Sequence, residues 1–403
     1  MHRALRRRVI ESLLERRSPY PGHMLLSLTN VPRDYAWGST TLLADLEGRE
    51  PAAQPEAEVW FGDHPGDPAD VEEGGTLDSV TGGSLPYLLK LLAAASPLSI
   101  QVHPTIAQAR AGWNRESELA LDDPRRNYRD DNHKPELIVA LSDRFESLSG
   151  LRVVPDTLRL LAELNGGAGV GSLVDHLSGE GEVLRETIGW LLSGDAQSEV
   201  DDVIAAVRTA AGSATGEWAD TLRAVSAISS TYPGDPGVVV ALLMNHVVLR
   251  RGEGVFLRAG LLHAYISGLG VEIMAASDNV LRGGLTPKRI DVQELLSILD
   301  TTAGEVPVLR PSASGALTTY EVPVEDFALQ RAALSGDAVE VPVNGPTMVL
   351  ATAGDVAVTG ADGGPRAVPV GTVVYADAEE GRVTLTGSGE AFIATPGTAA
   401  DAR

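Results

Sequence analysis

Hydrophobic spacing divides the chain into a helical middle and β-rich flanks. From about Val154 to Ser230 apolar residues recur three and four apart. Pro155 and Asp156 read as a helix start, with Leu158, Leu161 and Leu164 on one face and Gly166-Gly167 as the stop. Leu184, Ile188, Leu191 and Leu192 repeat the spacing, as do Val200, Ile204 and Val207, and then Trp218, Leu222 and Val225. Gly-rich joints separate these segments, which predicts a small helical domain closed by Tyr232-Pro233-Gly234-Asp235-Pro236-Gly237.

On either side the pattern shortens to strands and turns. Leu25 to Trp60 is punctuated by Asn30, Gly38, Gly48 and Pro51. Leu85 to Ile100 is apolar except for Lys90, and a lysine in a buried element either snorkels to water or is aimed into a site. The run Val238 to Met244 reads as a buried strand or the start of a helix. Turns at Gly252-Glu253-Gly254 and Ala259-Gly260 bracket the strand Val255-Phe256-Leu257 and lead to His263. A histidine on a strand edge after a tight turn is the layout of jelly-roll barrels that hold a metal in the mouth. From Ser312 to Pro396 short β runs centred on Val349, Ala357, Val374, Thr384 and Ile393 are separated by Gly, Asp and Pro, as in a second barrel or sandwich.

At 403 residues two or three domains are expected. Aromatics make up only 4%, so aliphatic residues must fill the cores. The net charge of −23 repels nucleic acid and anionic membranes. It also repels phosphorylated ligands, so a phosphate site must be a local basic pocket. With no cysteine, disulfides and thiolate ligands are excluded. No apolar run is long enough for a membrane span, and the expected location is the cytoplasm. Residues 1–23 carry six arginines and read as a disordered basic extension, with Met24 opening the folded part.

Three segments carry chemistry. In Gln101-Val102-His103-Pro104, residues 101 and 103 share a strand face, although such a pair alone is a weak signal. In Asp130-Asp131-Asn132-His133-Lys134-Pro135-Glu136, Lys134 and Glu136 share a face if the segment is a strand. Arg129 to Asn132 alone reads as a charged surface turn. The third segment brings His263 and Tyr265, and beyond them Asp278, Arg282 and Lys288. Gln, His, Glu and His together suit a divalent metal of intermediate softness, and an arginine nearby suits phosphate or developing negative charge.

In combination these segments resemble a known family. QVHP, DDNHKPE, GLLHAYISGLGVEIMAASDNVLRGGLTPK, YAWGS and AEVWFGDHP are similar to type I mannose-6-phosphate isomerase, in order, from about Leu26 to the C-terminus. The resemblance implies a mainly β fold: cupin-type jelly-roll β-barrel domains with an inserted α-helical domain. The expected boundaries are 24–153 plus 238–311 for the catalytic region, 154–237 for the helical insert and 312–403 for the C-terminal β domain. It implies one zinc ion (Zn2+) per subunit held by Gln101, His103, Glu136 and His263, with Arg282 as the active-site arginine. One departure is Arg258, where the family has proline before the Ala-Gly turn.

The implied reaction interconverts mannose 6-phosphate and fructose 6-phosphate through a cis-enediolate. Lys134, Glu272 and Asp278 are candidates for moving the proton. Ser99, Lys90, Lys288 and Tyr265 are candidates for binding the phosphosugar, which is the expected partner of a monomer. Another cupin enzyme or a non-catalytic sugar-phosphate sensor are the alternatives. The presence of Lys134, Glu272 and Arg282 together argues for an isomerase.

Overall fold

Two antiparallel sheets and a series of helices make up residues 24–306 and 308–398, the part of the chain described by this computed structural model. The arginine-rich leader, and the expectation attached to it, lies outside the described residues. Contacts divide the chain into two units. One gathers residues up to Val31, Trp60–Leu88 and those from Ser312 onward; the other gathers Pro32–Val59 and Leu89–Pro311.

The first unit is built on a nine-stranded sheet. Its centre is the pair Thr347–Thr359 and Arg382–Thr395, each longer than the sequence pattern suggests. The pattern breaks both at glycine, yet the strands run through. A Cβ on Gly387 would lie 2.1 Å from the carbonyl oxygen of Asp355, and its φ is 122°. The glycine thus marks a close approach of two strands, not a turn. Inward residues such as Val349, Val358, Leu385 and Ile393 form the core. Leu25–Thr29 pairs with Val373–Ala376 in this sheet, rather than with the strands that carry the candidate ligands.

The second unit holds a ten-stranded sheet organised by the long strand His263–Ala275, buried along almost its whole length. It pairs with Glu136–Ala140, Phe145–Leu151 and Ile100–Val102. The helices Val154–Ala162, Val183–Leu192, Gln197–Ala211 and Ala219–Thr231 fall where the spacing predicts, the first with proline in its opening turn. Leu161, Ile188, Val207 and Val225 are buried in one cluster, each contributing on the order of 1.5–3 kcal/mol by leaving water. The run from Val238 resolves to the fully buried helix Gly237–Leu242.

One helix, Ala168–Leu177, escapes the pattern because it starts beside Gly166-Gly167 and contains two glycines. Gly169 has a packing reason: a Cβ there would meet the Glu199 carbonyl at 2.7 Å, so only glycine allows the two helices to approach. Its N–H donates to Asp202 Oδ2 at 2.7 Å, which satisfies an opening donor from the neighbouring helix.

Candidate metal centre

Strand register collects the candidate ligands. Gln101 stands opposite His263 on one side and Arg282 on the other. Directly paired residues share a sheet face, and His103 follows two positions on. Glu136 opens its strand opposite Met274 and Leu257. The turn before His263 is closed despite Arg258: Gly260 N donates to the His103 carbonyl at 2.8 Å, Leu261 N to that of Arg258 at 3.1 Å, and Arg258 pairs with Asp300 at 2.6 Å.

His103, Glu136 and His263 are buried, and their ligating atoms all lie within 4.8 Å of one another. His103 Nε2 is 3.3 Å from Glu136 Oε1, and His263 Nε2 is 3.3 Å from Glu136 Oε2. On the far side of each ring, Nδ1 faces a carbonyl: Asn279 at 2.6 Å for His103 and Leu261 at 2.9 Å for His263. A carbonyl can only accept, so each Nδ1 carries hydrogen, and in a neutral ring Nε2 then offers a lone pair. Burial lowers the pKa of His103 to about 4, so this ring is neutral at pH 7. Its Nε2 is buried with no hydrogen-bond partner among the described residues. Lone pairs aimed at the two oxygens of one carboxylate repel unless a cation sits among them. The donor set therefore fits a divalent metal held by nitrogen and oxygen. Gln101 Nε2 donates to Ser99 Oγ at 3.2 Å, which leaves its Oε1 as an available donor atom.

Lys134 Nζ lies 2.9 Å from Glu136 Oε1. Burial pushes the Glu136 carboxyl up, the Lys134 ammonium beside it pulls it back, and the group lies well below the usual carboxylate range.

A second buried network continues from the first. Lys90 Nζ lies 3.6 Å from Glu58 Oε1 and 3.2 Å from Glu272 Oε2, and the Tyr265 hydroxyl donates to Glu272 Oε1 at 2.8 Å. Burial pulls Lys90 down, and the carboxylates of Glu58, Glu272 and Glu136 more than reverse this, so it stays charged. Burial raises Glu272, Lys90 pulls it back, and Glu136 and Glu58 add to the rise. Lys90 and Tyr265 are thus engaged with carboxylates instead of being grouped with Lys288. Asp278 is exposed.

Asp278, Arg282 and Lys288 instead line a cavity of about 410 Å³, together with Arg126, Arg129 and Arg289. Arg289 pairs with Asp291 at 2.8 Å, and Arg126 stacks 4.3 Å from the Trp113 ring while donating to the Tyr128 and Glu116 carbonyls. The pKa of Arg282 is lowered by burial and then by Arg129; that of Lys288 by Arg282, by burial and by Arg129. Cations crowded against one another in a chain of net charge −23 make an anion site.

Sequence reading passed over three residues here. Arg129 reads as part of a surface turn, Glu58 follows Glu56 at the edge of Val59-Trp60-Phe61, and Asn279 gives no chemical signal of its own. Only the third dimension shows their partners.

Residues 25–154 match the phosphomannose isomerase type I catalytic domain. Mannose-6-phosphate isomerase of Escherichia coli K12 is 35% identical over 388 residues, covering 90% of this chain and 97% of that protein. The chain belongs to the mannose-6-phosphate isomerase family. Members reach into eukaryotes: mannose-6-phosphate isomerase 1 of Arabidopsis thaliana is 31% identical over 80% of this chain. A variant of phosphomannose isomerase from Salmonella typhimurium superposes with a TM-score of 0.84 at 31% identity, covering 93% of this chain and 100% of that one. A mannose 6-phosphate isomerase structure bound with zinc and yttrium matches with a TM-score of 0.83 over the same coverage. The chain is therefore an isomerase of this family with the cupin-type fold, and no helix among its described residues is long and apolar enough to cross a membrane.

Proposed function

We propose that the chain is a zinc-dependent aldose–ketose isomerase that interconverts D-mannose 6-phosphate and D-fructose 6-phosphate. The observation that carries this reading is the pair of histidine lone pairs converging on one buried carboxylate, beside a cluster of cations suited to phosphate. His103 Nε2, His263 Nε2, the Glu136 carboxylate and Gln101 Oε1 hold one ion per subunit. When bound, zinc supplies a Lewis acid that polarises substrate oxygen.

The remaining chemistry falls to side chains. Lys288 and Arg129 bind the phosphate, and Arg282, between that cavity and Gln101, stabilises charge on the substrate oxygens. Lys134 Nζ, held 2.9 Å from Glu136 Oε1 beside the ligands, is the base. It takes the C2 proton of the open-chain aldose, and the C2–H electron pair becomes the C1–C2 double bond while O1 takes the charge. The hydroxyl hydrogen then passes from O2 to O1, and the same nitrogen returns its proton to C1 as the electron pair on O2 forms the ketose carbonyl at C2. Glu272, Tyr265 and Lys90 back this site with a fixed, buried charge network.

The test is conversion of mannose 6-phosphate to fructose 6-phosphate before and after chelation, with zinc then returned. Loss and recovery are expected. Undiminished turnover after complete metal removal would refute the metal dependence, and no turnover by zinc-loaded protein would refute the substrate.

A further inference from the structure

We propose that Asn279 is a positioning residue that locks His103 for the metal and, with the same side chain, anchors the loop that carries Arg129 into the anion cavity. This rests on the reading of His103 as a ligand. Asn279 is fully buried. Its carbonyl accepts from His103 Nδ1 at 2.6 Å, which sets the ring's tautomer and its direction. Its side chain uses both ends of the amide. Oδ1 accepts from Arg129 N at 2.7 Å and Asp130 N at 3.4 Å. Nδ2 donates to the Asp130 carbonyl at 3.0 Å, to Asp130 Oδ1 at 3.0 Å and to the Asn132 carbonyl at 2.8 Å. Ser277 Oγ completes the clip, accepting from Asn279 N at 3.2 Å and donating to Asp130 Oδ1 at 2.8 Å.

Only an amide fits these partners. A carboxylate would set oxygen against three oxygen acceptors, and an apolar side chain would strand four bonds to backbone and one to the Asp130 side chain. Because the side chain fixes the residue whose carbonyl holds His103, freeing it loosens the metal ligand. The same loss releases residues 129–132, and with them Arg129. Metal centre and anion cavity therefore share one anchor, and damage to it should weaken both.

The experiment measures zinc affinity of the full chain by competition with a chromogenic chelator, in the wild type and in Asn279→Asp. Cobalt(II) in place of zinc reports ligand geometry by its visible spectrum, and inorganic phosphate serves as the anion probe. We expect zinc to bind about 10–100-fold more weakly, in line with the loss of other partners of ligating histidines. The cobalt spectrum should change and phosphate should bind several-fold more weakly. Zinc affinity and cobalt spectrum equal to wild type would overturn the proposal. Should Asn279→Asp fail to fold, Asp130→Ala removes the other half of the clip and should weaken zinc several-fold; unchanged affinity there overturns the proposal equally. Glu136→Gln is measured alongside. If zinc binds that variant normally, the ligand assignment itself is wrong. If it does not, while Asn279→Asp binds normally, only the role of Asn279 fails.

Discussion

Lys90→Met is a direct probe of the buried charge network. Methionine keeps the length of the side chain, so little cavity is created, but it removes the ammonium that stands 3.6 Å from Glu58 and 3.2 Å from Glu272. Both carboxylates and the lysine are less than a tenth exposed. Removing one partner of such a buried cluster costs about 3–5 kcal/mol, because the remaining charge is left without compensation. Protonation offers partial relief. Burial already raises Glu272, Lys90 restrains the rise, and Glu136 and Glu58 add to it, so losing Lys90 raises it further. A carboxyl whose pKa is higher folded than unfolded gives its full stabilisation below the unfolded value of 4.5 and loses it as pH rises through the folded value. The penalty in the variant should therefore be largest at pH 8 and shrink toward pH 5. Urea unfolding of metal-free protein, wild type against variant at both pH values, measures this without linkage to metal. Adding Glu58→Gln to Lys90→Met should recover part of the loss. A deficit at pH 8 below about 1 kcal/mol, or one equal at both pH values, would refute the argument that an uncompensated buried carboxylate sets the cost.

Other consequences concern turnover. Lys134→Met should abolish isomerisation while zinc content by metal analysis stays near one per chain; near-normal turnover would remove Lys134 as the base. Arg282→Lys should lower kcat sharply, since an amine cannot reproduce the planar fork of a guanidinium; an unchanged kcat would place Arg282 outside the reacting atoms. Lys288→Ala and Arg129→Ala should each raise KM for mannose 6-phosphate by about tenfold or more with kcat little changed, because a charge-assisted contact of about 1.5–3 kcal/mol is lost equally from ground and transition states. A fall in kcat at constant KM would argue against a phosphate role for either.

Local pattern carried much of this architecture. The faces of the helices that hold Leu161, Ile188, Val207 and Val225 were readable because burial imposes a 3.6-residue period. The ligand types were readable because few residue kinds bind a metal. Glycine was the weakest guide: Gly354 and Gly387 read as turns, yet they sit inside long strands where two backbones touch, and Gly169 sits inside a helix for the same reason. Spacing in sequence says nothing about which distant backbone will come that close. The roles of charged residues outside the motifs were hidden for a related reason. Lys90 looked equally like a snorkelling lysine or a phosphate contact until Glu58 and Glu272 were seen on either side of it. Arg129 is exposed, as its turn suggests, but its place on the cavity wall and the many loop bonds of the buried Asn279 show only in the folded chain.

Stepwise return of zinc to chelated protein, with mannose 6-phosphate turnover and bound metal measured in the same samples, tests the account most directly. Turnover should rise in proportion to bound zinc and level off at one ion per chain, and Glu136→Gln should neither hold the ion nor regain activity. Full turnover in metal-free protein, or one tightly bound zinc with no isomerisation of mannose 6-phosphate, would contradict it.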